Sequence, residues 1–439
     1  MITDRLWRWW HARMLRGRGP RTAAMAEAVG KAFTGNATES ERIHRLRRAV
    51  IRCGNAELAK LPDSWWSSYI RLLQGDEQDA ALVAATAGLD GKMFSSAQWL
   101  ELYRLCWITG IYRVAMSVRV HVEACVKAEA DKSQADARSL RLALAIAIEK
   151  GQLSDAAAWL EKLSELGSLD PEKLAHGRWL VELLNGRLQP LALSSQSDAE
   201  SNTLQEISGA SVALVGPAPF KARNGSDIDG FDWVAKFNYR GGAQGCDPQT
   251  QGRRVDIAYY NLVQSKFITK ELDASFLRDL RFPVFIKEKG FRLLGAQNQN
   301  SRPVRNLEWA LLDTELNAGP NAALDILRFN PARLKVFNTD LMLTGGRFAG
   351  YREPGAKEVN YSHSFAKTHD PVLQFRIFQQ LFQKGILEGD DRFVEVMEMT
   401  LHEYIARLEE AHGGIAREAV AGIRSPAPDV ADRPPGGKV

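Results

Sequence analysis

VALVGPAP (Val212–Pro219), IDGFDWVAKFN (Ile228–Asn238) and GRRVDIAYYN (Gly252–Asn261) follow one another closely in the chain. Val212–Val215 is a short apolar run halted by Gly216-Pro217-Ala218-Pro219, which reads as a buried strand ending in a turn. Small residues there let main-chain N–H groups approach a ligand closely. Asp229 and Asp232 bracket Phe231, and Val234–Phe237 forms a second strand that delivers Asn238 to its end. A third strand, Val255–Tyr260, ends in Asn261. Three successive strands that end in a turn or an amide side chain predict a nucleotide pocket at the carboxyl edge of a parallel sheet.

The same residues carry a resemblance. A strand, a glycine turn, an ID-x-FD-x-V-x-x-FN pattern and then a G-x-x-x-D pattern resemble the large sialylmotif of glycosyltransferase family 29, the sialyltransferase family. Gly319-Pro320-Asn321-Ala322, a helical stretch over Ala323–Phe329 and the strand Lys335-Val336-Phe337 resemble the small sialylmotif. His369-Asp370-Pro371-Val372-Leu373-Gln374 resembles the terminal His-x4-Glu motif, with Gln374 in place of Glu. The resemblance covers roughly residues 205–390 and leaves the first two hundred unexplained.

Hydrophobic residues make up 45% of the 439 and charged residues 25%, the balance of an ordinary globular chain and not of a disordered one. At this length two domains and a tail are expected. A net charge of +4 is too small to argue for a nucleic-acid partner. Cys53, Cys106, Cys125 and Cys246 are far apart, with neither metal-ligand nor disulfide-framework spacing, so reduced thiols and a cytoplasmic location are expected. No apolar run is long enough to span a bilayer. Arg5, Arg8, Arg13 and Arg16 interrupt any signal-peptide core.

Within a basic, Trp-rich segment over residues 1–35, Leu6, Trp7, Trp10 and Met14 fall on one helical arc, with Arg5, Arg8 and Arg16 opposite. Such a helix lies on an anionic membrane surface, here the inner membrane, or docks on its own protein with its arginines solvated. Residues 40–188 show helical periodicity throughout, and Gly75/Ala80, Gly110/Ala115 and Gly151/Ala156 form an irregular repeat. The best copy, Leu142–Leu163, resembles a tetratricopeptide hairpin, whose repeat is about 34 residues. Residues 189–208 read as a Ser-rich linker, 209–412 as the α/β domain closed by a helix over Asp391–Ala411 that Gly413-Gly414 ends, and 413–439 as a disordered tail. The predicted fold class is therefore a Rossmann-like, mostly parallel α/β catalytic domain preceded by an all-α helical-repeat domain.

The family resemblance implies an inverting, metal-independent transfer of a sugar acid from a CMP donor to a hydroxyl of a glycan or glycolipid. The sugar acid would be Kdo or a sialic acid-like nonulosonate, the acceptor a bacterial surface glycan, and no cofactor is required. It implies His369 as general base, for which an imidazole has a suitable pKa. It places His363 and Tyr361, within Tyr361-Ser362-His363-Ser364, at the departing phosphate; a generic polar loop is the plainer reading of those four residues. Asp370-Pro371 also fits the start of a helix. Asn238 corresponds to a CMP-binding asparagine, and Gly216, Pro217 and Ala218 to the nucleotide turn. Pro217 stands where the family commonly has Asn, removing an amide and an N–H together, so the lost contact is expected from Asn261 or Asn224. Gly319, Asn321 and the helix they open are expected at a phosphate. Asp229, Asp232 and Asp256 read as capping and packing residues with no metal-ligand spacing. The substitutions at Pro217, Asn321-Ala322 and Gln374 support one alternative, a catalytically inactive nucleotide-binding adaptor built on helical repeats.

Overall fold

Val212, Ala213, Leu214 and Val215 are each at most 3% exposed. A strand buried on both faces reads as a continuous apolar run, and such strands belong to parallel sheets covered by helices. The computed structural model describes residues 18–421, apart from 77, 242–246, 313, 349–350, 353–354 and 356–358. It contains a seven-stranded, all-parallel sheet in the order β5-β4-β3-β2-β1-β6-β7. The strands are β1 (Ser211–Val215), β2 (Trp233–Phe237), β3 (Ile257–Tyr260), β4 (Phe282–Phe285), β5 (Arg302–Pro303), β6 (Arg333–Phe337) and β7 (Glu388–Gly389). The chain steps outward from β1 to β5, then crosses to the other side of β1 for β6 and β7. The switch point, where such sheets bind ligands, is between the carboxyl ends of β1 and β6. The α/β expectation and the added helical region are both present.

Among the described residues ten α-helices precede the sheet: α1 (Arg18–Ala32), α2 (Glu39–Arg52), α3 (Asp63–Gln74), α4 (Asp79–Ala87), α5 (Ser96–Ile108), α6 (Tyr112–Ala130), α7 (Ala137–Lys150), α8 (Leu153–Glu165), α9 (Pro171–Leu184) and α10 (Asp198–Ile207). Between and after the strands come α11 (Gly225–Asp229), α12 (Pro248–Gln251), α13 (Leu262–Glu271), α14 (Glu288–Leu294), α15 (Ala318–Leu327), α16 (Tyr361–Lys367), α17 (Pro371–Gln383), α18 (Asp391–Met397) and α19 (Leu401–Ala421). Among the described residues no helix is long and apolar enough to cross a membrane.

The chain forms two compact units, and they are not divided at the expected linker. One comprises residues 1–125, 360–367 and 408–439; the other comprises 126–359 and 368–407. Helices α7–α9 thus belong with the sheet rather than with the earlier helices. Gln380 Nε2 on α17 donates to the carbonyls of Ile148 (3.1 Å) and Glu149 (3.0 Å), which holds the end of α7. Residues 198–207 of the expected linker are α10, because Ser197 and Glu200 form a reciprocal capping box. The α7–α8 hairpin turns at Gly151 in the left-handed region, and Gly75 and Gly110 likewise have positive φ. The repeat is irregular in packing as well, since Ala115 and Ala156 are buried and Ala80 is exposed.

The expected stop at Gly413-Gly414 does not occur, and α19 runs through it to Ala421. A Cβ on Gly110 would lie 2.2 Å from Gly413 O, and one on Gly413 would lie 2.6 Å from Gly110 O. Both glycines serve backbone approach rather than chain breaking. Residues 413–421 of the expected tail are therefore helix. Two helices, α18 and α19, replace the single one expected over 391–411. The amphipathic stretch over residues 3–17 and the far tail lie outside the described residues.

In the sheet unit, Asp229 accepts from the backbone N–H of Arg253 and Arg254, Asp232 from Ser211, and Asp256 from Val234. These carboxylates tie down backbone near the amino edge, as capping residues do. Helix α15 is fixed to the sheet by Asp325, which pairs with Arg302 (2.8 and 2.7 Å) and Arg328 (2.9 Å) and accepts from Tyr259 Oη (2.8 Å).

Candidate functional site

A helix that precedes its strand in a parallel sheet runs antiparallel to it, so α15 and α17 open at the carboxyl edge. Hydrogen bonds gather the residues of that edge. His369 Nδ1 lies 3.1 Å from Glu315 O, and Thr314 Oγ1 joins Thr368 O (2.7 Å) to Asp370 N–H (2.9 Å). Gln374 is 1% exposed; its Oε1 accepts Asn317 N–H (3.0 Å) and its Nε2 donates to Asp370 O (3.1 Å). Gln374 thus binds the first turn of α17 to the residue preceding α15. Asp370 caps α17 through Val372 N–H, with Pro371 in its first turn. The capping reading of Asp370-Pro371 holds, and His369 lies just outside the helix.

A carbonyl oxygen only accepts, so the bond to Glu315 O fixes the proton of His369 on Nδ1 and leaves Nε2 as an acceptor. Burial lowers the pKa of His369, opposed by the Glu315 carbonyl and carboxylate. Lys287 adds to the lowering, and its ammonium pairs with Glu315 at 2.8 Å. The imidazole is therefore neutral near pH 7 and shaped to take a proton.

Two residues along from Glu315, Asn317 starts α15 without a side-chain cap. Its Nδ2 donates to Met342 Sδ (2.9 Å) instead. The first N–H groups of a helix have no intrahelical partner, and together they attract anions. Gly319 is half-buried and faces open space, with nothing within 4 Å of where a Cβ would be. Asn321 is turned inward, its Nδ2 on Leu316 O (2.8 Å).

The turn after β1 departs from the expectation. Gly216 N–H donates to Phe337 O (2.7 Å) and Ala218 N–H to Asn338 O (3.1 Å), while Pro217 has no N–H. Its main-chain donors are spent on β6, and no cradle of free N–H groups forms. A Cβ on Gly216 would lie 2.4 Å from Asn338 O, so this glycine admits the end of β6. Pro217 O accepts Phe348 N–H (3.1 Å), which ties the segment after β6 to the same turn.

Both residues expected to replace the amide lost at Pro217 already hold one hydrogen bond each. Asn261 caps α13 by accepting Gln264 N–H (2.9 Å), and Asn224 Nδ2 donates to Asp390 (3.3 Å). Asn238 does stand at the carboxyl end of β2, 2% exposed, with φ 54° and its N–H on Tyr259 O (2.9 Å). Tyr361 and His363 lie in the other unit, on α16. There Tyr361 stacks on His412 (centroids 4.5 Å apart), and burial lowers the pKa of His363.

Asn338 went unnoticed in the sequence. It ends β6 as Asn238 ends β2, and the signal was present: Phe337-Asn338 repeats Phe237-Asn238. Among the described residues no group of three or more His, Cys, Asp or Glu could hold a metal ion. No protein-family model and no curated protein matches this chain.

Proposed function

We propose that this protein is an inverting glycosyltransferase that moves a sugar acid, Kdo or a sialic acid-like nonulosonate, from a CMP donor to a hydroxyl of a surface glycan. The observation that carries the reading is the placement of His369. It is a neutral imidazole with its proton fixed on Nδ1, beside the uncapped opening of α15, at the carboxyl edge of a parallel sheet. In this reading Nε2 takes the proton of the acceptor hydroxyl as its oxygen attacks the anomeric carbon. The bond from that carbon to the phosphate breaks, and the electron pair leaves on CMP. The N–H groups of Ala318 and Gly319 stabilise the charge that develops there. Asn238, at the end of β2, grips the nucleoside.

The test is calorimetry on the full chain with CMP, CTP, UDP, ADP and NAD. CMP or CTP should bind best, and Asn238→Gly, which tolerates the left-handed φ, should weaken CMP by about 1–3 kcal/mol. A preference for UDP or a dinucleotide would overturn the reading.

A further inference from the structure

We propose that Asn338 is a ribose-recognition residue, its Oδ1 accepting a hydrogen bond from a sugar hydroxyl of the bound nucleotide. The inference rests on the nucleotide reading of the site, and it names a residue and a ligand group that the reading does not.

Asn338 ends β6 at the switch point, beside Gly216, and is 1% exposed. Three of its groups are engaged: N–H donates to Asp390 Oδ2 (2.7 Å), O accepts Ala218 N–H (3.1 Å), and Nδ2 donates to Thr250 O (3.0 Å). The bond to Thr250 O settles which end of the amide is nitrogen. Oδ1 is then a fixed acceptor, and it is buried with no hydrogen-bond partner among the described residues. A buried acceptor without a partner is costly and calls for an explanation.

The backbone around it points the same way. Asn338 has φ 51°, and Leu341 and Met342 follow at 48° and 74°. Successive large residues in the left-handed region are strained, and strain of this kind gathers at ligand sites. Oδ1 is shut off from solvent, so a ribose reaches it only when this segment yields. An acceptor at the carboxyl end of a central strand is where α/β proteins hold a ribose hydroxyl. With Asn238 ending β2 and Asn338 ending β6, one left-handed asparagine stands on each side of β1.

The experiment is calorimetry of the full chain with CMP, UMP, AMP and GMP and their 2′-deoxy and 3′-deoxy forms, on wild type, Asn338→Gly and Asn338→Asp. Glycine keeps the left-handed backbone and removes the acceptor; aspartate keeps an acceptor and loses the donor to Thr250. Wild type should prefer the ribonucleotide over one deoxy form by about tenfold. Asn338→Gly should lose that preference and Asn338→Asp should retain it. If CMP binds and Asn338→Gly discriminates as wild type does, the inference fails and the CMP reading stands. If another base binds best and discrimination is lost in Asn338→Gly, the inference stands and the CMP reading fails. Binding of no nucleotide, or equal weakening of ribo- and deoxynucleotides by both variants, overturns the inference.

Discussion

His369 Nδ1 donates to the carbonyl oxygen of Glu315 across 3.1 Å, two residues before the asparagine that starts α15. One contact therefore sets both the tautomer of the histidine and its position against the opening of a helix. Thr314 and Gln374 hold the two chain segments together on either side of it. The arrangement resembles a general base supported by backbone, with no carboxylate bonded to its second nitrogen among the described residues.

Gln374 is the first test of that frame. Gln374→Ala leaves Asn317 N–H without its acceptor and should destabilise the protein by about 1–3 kcal/mol. Gln374→Glu keeps that acceptor but sets a carboxylate against Asp370 O, in a site where burial raises its pKa. Protonation relieves the conflict. The stability difference from wild type should be small below the ordinary glutamate pKa of about 4.3 and grow as pH rises to 8. Urea denaturation at pH 4.5 and 8 measures it, and a difference independent of pH would contradict the assignment.

The sheet unit should be acid-labile through His176. Burial, then Arg328 and Arg305, lower its pKa to about 3. Below about pH 6.5 the unfolded chain takes up a proton that the folded chain refuses, so stability falls as pH drops toward 3. The limiting slope is about 1.4 kcal/mol per pH unit. Asp325 and Glu200, whose pKa values are lowered with arginine partners, also lose their contribution as pH falls. His176→Leu should flatten the dependence between pH 6 and 4 in thermal denaturation. An unchanged slope would assign the acid sensitivity to the carboxylates alone.

The helical unit requires its C-terminal segments. Glu409 accepts Arg113 N–H (2.9 Å), and Arg417 Nη1 donates to Gly110 O (2.6 Å). Truncation after residue 407 should unfold the first unit, seen as loss of helical circular dichroism, whereas truncation after 421 should not. Gly110→Ala should destabilise by more than the ~1 kcal/mol usual for a glycine replaced at positive φ, because its Cβ would strike Gly413 O at 2.2 Å. Gly54→Ala, also at positive φ but with nothing within 4 Å, is the control.

The sheet was readable because strands buried on both faces leave unbroken apolar runs, as at Val212–Val215. Its site was readable in part. Asn238 and His369 are where a strand end and a helix start must put them. The Gly216-Pro217-Ala218 turn misled, because a glycine that admits another strand looks in sequence like one that admits a ligand. Gly413-Gly414 misled for the same reason, since its partner Gly110 is three hundred residues away in sequence. Ser197-x-x-Glu200 announced α10, but the serines around it masked the capping box. That residues 360–367 and 408–421 join the first unit follows from long-range packing, which no local pattern records.

The most direct measurement is the rate of CMP release from CMP-sialate and CMP-Kdo as a function of pH, for wild type and His369→Gln. Wild type should turn over one of the two donors, and its rate should fall on the acid side below about pH 6.5, because burial lowers the pKa of His369 and Nε2 must be unprotonated to accept. His369→Gln should lose about 10²–10⁴-fold in turnover with CMP affinity nearly unchanged. Turnover of neither donor, or a His369→Gln enzyme with the wild-type rate and acid limb, would contradict the account.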